Sequence, residues 1–277
     1  MTSIAPMPFT SILVPVFNNP QFVGHLCHTL FEHTDQANCP WELILIDNGS
    51  TEAGMAACYD QIADRPAVTI LRNTTNLGFG RANNIGLRHS RGEVIALINS
   101  DMFVLKPWLA PLLLRLASDP SCAAVQGKII LPDENRPPTE WLVQTCGARF
   151  DRHGLPVYHL PNLPARAAEV NRAMPLPAVM GTGLLLRRAV IEQVGFFDED
   201  YDLVYMEDSD LSLRISEAGY SLWYEPQAEF YHFHNASMPH LDQQVYDRCR
   251  LGNQALFQKK WPPERIERIL QRHGFSG

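Results

Sequence analysis

Three groups of side chains in this sequence have the types and spacing to do chemistry. Asp101 closes the apolar run Gly92-Glu-Val-Ile-Ala-Leu-Ile-Asn-Ser-Asp101. A carboxylate at the end of a buried strand can hold a hard divalent cation such as Mg²⁺ or Mn²⁺ through oxygen. The same pattern recurs in Trp41-Glu-Leu-Ile-Leu-Ile-Asp47 and in Thr10-Ser-Ile-Leu-Val-Pro-Val-Phe-Asn18. Three strands thus aim Asn18, Asp47 and Asp101 at the crevice beyond the strand ends, where open α/β sheets bind ligands. Glu207, Asp208 and Asp210 crowd three carboxylates into four residues at a helix start. Acids suit a helix N-terminus, and repulsion between like charges raises a carboxylate's pKa and makes it a better base. His232 and His234, two apart on a strand, face the same side, and neutral imidazole is a common metal ligand.

The elements that must carry these groups alternate. Helices are expected over 20–33, 52–63, 81–91 and 106–117, between strands at 10–18, 41–47, 67–71, 92–101 and 123–127. From Leu131 to Pro177 the pattern gives way to proline-rich sequence too long for a passive connection, which reads as a lid or binding loop, with a short strand within 143–150. Regular structure resumes with a strand ending at Arg187. Helices follow at 188–194 and 209–218, short strands at 221–224 and 228–232, and helices at 241–260 and 262–272.

The composition, 45% hydrophobic and 19% charged over 277 residues, is that of a globular chain. A net charge of −7 gives no basic footprint for nucleic acid. The six cysteines form no C-x-x-C pair and read as reduced thiols of a cytosolic protein. No apolar run approaches the ~18 residues of a membrane span, so any membrane association is expected to be peripheral, at the inner face.

The order Val14-Pro-Val-Phe-Asn18, Asp47-Asn-Gly-Ser-Thr51, Asn76-Leu-Gly-Phe-Gly-Arg-Ala-Asn-Asn-Ile-Gly86, Asn99-Ser-Asp101, Gly181-Thr-Gly183, Gly195-Phe-Phe-Asp198 and Glu207-Asp-Ser-Asp-Leu-Ser-Leu-Arg214 resembles the family 2 glycosyltransferases, the rhamnosyltransferase-like bacterial members most of all. The resemblance runs from about Thr10 to Ser237. It implies an α/β GT-A fold, a single Rossmann-like domain with a central mixed sheet flanked by helices, over 1–237. Residues 10–105 would bind the nucleotide sugar, 106–237 the acceptor, and 238–277 would form a helical extension.

The implied activity is inverting transfer of a sugar from a nucleotide donor, UDP- or dTDP-linked, to a glycan or lipid-linked acceptor in bacterial polysaccharide assembly. The resemblance places Pro15, Phe17, Asn18, Asp47, Asn48, Ser50, Asn76, Gly78, Arg81, Asn83, Ser100 and Asp101 at the donor, with Arg81 near the diphosphate. It places Gly181, Thr182, Tyr205 and Asp210 at the acceptor, makes Asp208 the general base beside Glu207, and gives Asp101, His232 and His234 a divalent metal, Mg²⁺ or Mn²⁺. Asn99 replaces the first acid of the family's D-x-D element. That loss favours a second reading, a non-catalytic nucleotide-sugar-binding module. A third, a sugar-nucleotide pyrophosphorylase, needs a basic Gly-rich loop where this chain has Val14-Pro-Val-Phe-Asn-Asn.

Overall fold

The computed structural model describes residues 7–233 and 242–275. Its centre is a ten-stranded mixed sheet. Strands β1 (Thr10–Val16), β2 (Trp41–Asp47), β3 (Val68–Arg72) and β4 (Val94–Leu97) run parallel in the order β3-β2-β1-β4. Between them lie α1 (Pro20–His33), α2 (Met55–Asp60) and α3 (Phe79–His89). After the short β5 (Met102–Phe103) come α4 (Leu109–Ser118) and β6 (Cys122–Leu131).

The proline-rich stretch is ordered into β7 (Leu142–Thr145), β8 (Ala148–Phe150), β9 (Pro156–Tyr158) and β10 (Met174–Leu176), with two 3-10 turns. Next come β11 (Leu184–Arg187), α5 (Arg188–Val194), α6 (Glu207–Glu217) and β12 (Ser221–His232). The two short strands expected at 221–232 are one strand, with a register shift between Glu225 and Glu229 around Pro226. Proline has no N–H for the ladder, so an irregularity is the natural place for it. The helix expected at 52–63 shrinks to α2, because Glu52 and Thr51 serve a turn described below.

Both faces of the sheet are covered, which explains the continuous apolar runs of its strands. Ile12, Val14, Leu43 and Leu45 pack on one face with Leu26 and Leu30 of α1 and Leu112 and Leu116 of α4. Leu13, Ile44, Ile46 and Leu97 turn to the other, against Ala82 of α3, Ile191 of α5 and Leu211 and Ile215 of α6. Side chains two apart share a face, so each run serves two cores.

The chain ends in α7 (Gln243–Lys260) and α8 (Pro263–Arg272). These helices pack through Phe257, Trp261, Ile266 and Ile269 on Leu213 of α6 and Tyr201. The six cysteines are all buried free thiols. No helix among the described residues is long and apolar enough to cross a membrane.

Candidate active site

Because β1, β2 and β4 are parallel neighbours, their carboxyl ends open on one side, and there lies a cavity of 270 Å³. Pro15 lines it from β1, Phe17 and Asn48 from the positions just after β1 and β2, and Asn99, Ser100 and Asp101 from the turn after β4. Asn76, Gly78 and Phe79 enter from the loop before α3. Gly181, Thr182, Tyr205, Glu207, Asp208 and His232 complete it from later elements.

Asn48 organises the donor side. Its Nδ2 donates to Asn76 Oδ1 at 2.8 Å and to Gly78 O at 3.2 Å, while its Oδ1 accepts from Asn73 Nδ2 at 3.0 Å and Leu77 N at 3.1 Å. Gly78 adopts φ +86°, and a Cβ there would stand 2.6 Å from Leu203 Cα, so only glycine fits. Asp47, Asn18 and Ser50 lie just behind the cavity wall. Asp47 Oδ1 accepts from Ser50 N at 2.9 Å, Ser50 Oγ accepts from Asn18 N at 2.7 Å, and Asn18 Oδ1 accepts from Thr51 N at 2.9 Å and Glu52 N at 3.0 Å. In this arrangement Asn18 and Ser50 shape the wall through the turns they hold.

Beyond Asn18, Asp47 and Ser50, which were expected at the donor but do not line the cavity, three further expectations change. Arg81 turns away from the cavity: its Nη2 donates to Glu199 O at 2.7 Å and its Nη1 lies 3.9 Å from Asp202. Asn83 is fully buried in α3, where its Nδ2 donates to Phe79 O at 3.0 Å. Asp210, also fully buried, accepts from Arg214 Nε at 2.7 Å, Trp261 Nε1 at 2.8 Å and Tyr201 Oη at 3.3 Å, and pairs with Lys260 at 2.6 Å. One turn along the helix from Asp210, Arg214 fits this role by i,i+4 spacing. Asp210 therefore fastens helices, and no oxygen of it lines the cavity.

The acid pair begins α6. Asp208 is half-buried, and its carboxylate accepts from Gly181 N at 3.1 Å and from Ser209 N at 2.7 Å and Oγ at 3.2 Å. Gly181 lies so close that a Cβ there would stand 3.0 Å from the Phe79 ring. Burial raises the Asp208 pKa above its ordinary value, and these hydrogen bonds oppose the rise. Glu207 is buried, its Oε2 has no hydrogen-bond partner among the described residues, and burial, with the neighbouring Asp208 charge second, pushes its pKa up to about 8. Both carboxyls line the cavity, and Asp208 is the one whose oxygens accept backbone hydrogen bonds from Gly181 and Ser209.

Across the cavity, His232 Nε2 lies 3.1 Å from Asp101 Oδ1 and Nδ1 lies 2.8 Å from Gln144 Oε1. Asp101 and His232 together could offer a cation one carboxylate and one imidazole; among the described residues no group of three or more His, Cys, Asp or Glu is placed to hold a metal ion. Carboxylate oxygen is a donor type that suits Mn²⁺, and neutral imidazole is a common ligand of metals. Gln144 then orients the ring from behind. His234 lies outside the described residues.

Gln144, Thr145 and Tyr158, all from the proline-rich stretch, also line the cavity. Their only sequence signal was the excess length of that segment.

A sequence profile described as glycosyl transferase family 2 matches residues 11–195. The chain belongs to this family. Over 242 residues it is 30% identical to the protein y4gI of Sinorhizobium fredii, and over 236 residues 28% identical to the O-antigen biosynthesis protein RfbC of Myxococcus xanthus. The two alignments cover 85% and 83% of the chain but only 25% and 18% of those proteins, so the chain spans a quarter or less of their length.

Among solved structures it is similar to that of GalNAc-T7 with UDP, GalNAc and Mn²⁺, with TM-score 0.68 and 18% identity over 83% of this chain and 44% of that one. The fold is the GT-A fold of family 2 glycosyltransferases, as the sequence resemblance implied. The segment matched to the family ends before Glu207, so the roles of the acid pair and of His232 rest on geometry.

Proposed function

We propose that this family 2 chain is an inverting glycosyltransferase that moves a sugar from a nucleoside diphosphate to a hydroxyl of a glycan or lipid-linked acceptor in bacterial polysaccharide assembly. The observation that supports this is that the Asp208 carboxylate and the adjoining side chains of Asp101 and His232 line one cavity. A base and a leaving-group site around one cavity are what direct displacement requires. The acceptor hydroxyl attacks the anomeric carbon as its proton passes to Asp208, and the bond to the diphosphate breaks.

Asp101 and His232 would hold a divalent cation, which when bound stabilises the charge gathering on the diphosphate. Mn²⁺ in the GalNAc-T7 structure supports that reading. Asn48, Asn76 and Gly78 shape the donor loop, and Pro15 and Phe17 form its apolar side. Tyr205, 42% exposed, offers its ring to the acceptor. Glu207, its pKa raised by burial, carries less negative charge beside Asp208 than a free carboxylate would. A role in a cytoplasmic pathway at the inner face of a membrane fits this substrate class.

Asn99 in place of an acid favours the alternative of a non-catalytic nucleotide-sugar-binding module. Incubation with UDP-, dTDP- and GDP-sugars, with and without Mn²⁺, separates the two. Metal-dependent release of nucleoside diphosphate supports the enzyme, whereas donor binding without release by any combination of sugar and acceptor supports the module.

A further inference from the structure

The segment that delivers the acid pair is gripped by a buried amide of α7. Asn253 of α7 is 3% exposed. Its Oδ1 accepts from Asp202 N at 2.9 Å, and its Nδ2 donates to the carbonyls of Asp202 at 2.7 Å, Val204 at 2.8 Å and Tyr205 at 3.2 Å. Three carbonyls on one side and an N–H on the other fix the orientation of the amide.

What it grips is unusual backbone. Leu203, Tyr205 and Met206 have φ of +49°, +77° and +78°. L-residues rarely hold such angles, and these persist only where their surroundings enforce them. The next two residues are Glu207 and Asp208.

The far side of the same segment rests on the donor loop, since Phe79 N donates to Leu203 O at 2.7 Å. Tyr205 is also tied to α7, through a hydroxyl contact with Tyr246 at 2.6 Å. The helix does not need Asn253 in order to dock: Phe257 is fully buried, Lys260 pairs with Asp198 at 2.6 Å, and Trp261 donates to Asp210 at 2.8 Å. The amide of Asn253 is spent on the segment alone.

We propose that Asn253 is a positioning residue for sugar transfer, fixing the Leu203–Met206 segment, with its left-handed Leu203, Tyr205 and Met206, so that Asp208 faces the cavity. The inference rests on the reading of Asp208 as the base. It also makes α7 part of the catalytic unit, not an appendage to it.

The test uses Asn253→Ala and Asn253→Asp in the full chain. The aspartate keeps the volume and the bond to Asp202 N but sets a charge against three carbonyls, so the two variants should behave alike. Amide exchange at residues 203–208 should rise by ~10-fold or more while that of the central strands stays unchanged. With whichever of the UDP-, dTDP- or GDP-sugars the wild type turns over, kcat should fall ~10- to 100-fold and donor KM change less than ~3-fold. The double variant Asp208→Asn/Asn253→Ala should be no slower than Asp208→Asn alone, because the amide acts through that carboxylate.

Unchanged exchange at 203–208, a wild-type kcat, or losses that multiply in the double variant would overturn the inference. So would failure of both single variants to fold, which would make Asn253 a folding residue. If instead Asp208→Asn turns over at the wild-type rate, the reading of the base fails, and the exchange result still decides whether the amide holds the segment.

Discussion

His232 Nε2 lies 3.1 Å from Asp101 Oδ1 although 131 residues separate them in sequence. β12 brings the histidine there: His232 pairs in register with Met102, the residue after Asp101. A two-residue strand thus closes the candidate metal edge.

Donor turnover is expected to need Mn²⁺ or Mg²⁺ and to stop in excess EDTA. His232→Ala and Asp101→Ala should each lower nucleoside diphosphate release by ~10-fold or more, since even groups behind a ligand commonly cost 10- to 100-fold. Titration of Mn²⁺ against each variant checks this, and full activity in EDTA would count against the site.

Glu207 gives the fold a pH dependence of known sign. Its folded pKa, about 8, lies above the ordinary 4.5, so the folded protein binds the extra proton between these values and loses stability as pH rises from about 4.5 through 8. His159, which burial lowers, pulls the other way below its ordinary 6.5, so the quantity to measure is the difference between wild type and Glu207→Gln. Denaturant unfolding from pH 5 to 8.5 should show the variant gaining on the wild type as pH rises, by a few kcal/mol at most. A pH-independent difference would mean that Glu207 is ionised throughout.

Asp210 should behave as a structural group. Asp210→Ala leaves Lys260 and Arg214 facing a void and should cost about 3–5 kcal/mol, the usual loss when one partner of a buried pair is removed. Donor KM of the fraction that remains folded should stay near the wild-type value. Thermal unfolding together with initial rates checks both parts.

The β-α alternation, both carboxylate-bearing strand ends and the acid pair were legible in the sequence, because a run such as Ile12 to Val16 buried on two faces leaves an unbroken apolar signature. What hydrogen bonding decides was not. Arg81 and Asp210 have the residue types of a ligand site, yet each is satisfied by partners 118 and 51 residues away, Glu199 and Trp261. Gln144 and Tyr158 were hidden in proline-rich sequence, where short strands carry little periodicity. Asn253 left one faint mark: it shares a helical stripe with Tyr246, Cys249 and Phe257, an amide where the spacing calls for an apolar side chain.

The proline-rich stretch should respond to ligands. Gln144 Nε2 donates to Tyr158 Oη at 3.2 Å and Gln144 Oε1 meets His232, so filling the cavity should tighten this edge. Hydrogen exchange across 142–159 is expected to slow on addition of donor with Mn²⁺ and acceptor. Identical protection with and without them would remove the lid role.

The central claim is that Asp208 takes the acceptor proton, and a single comparison tests it most directly. Asp208→Asn keeps the shape and the bond from Gly181 N while removing the basic oxygen. Under saturating donor and acceptor, its kcat is predicted to fall ~10²- to 10⁴-fold, with donor affinity changed by less than about 1 kcal/mol. Sugar transfer by Asp208→Asn at near wild-type rate, with Glu207→Gln inactive beside it, would contradict the account and move the base to Glu207.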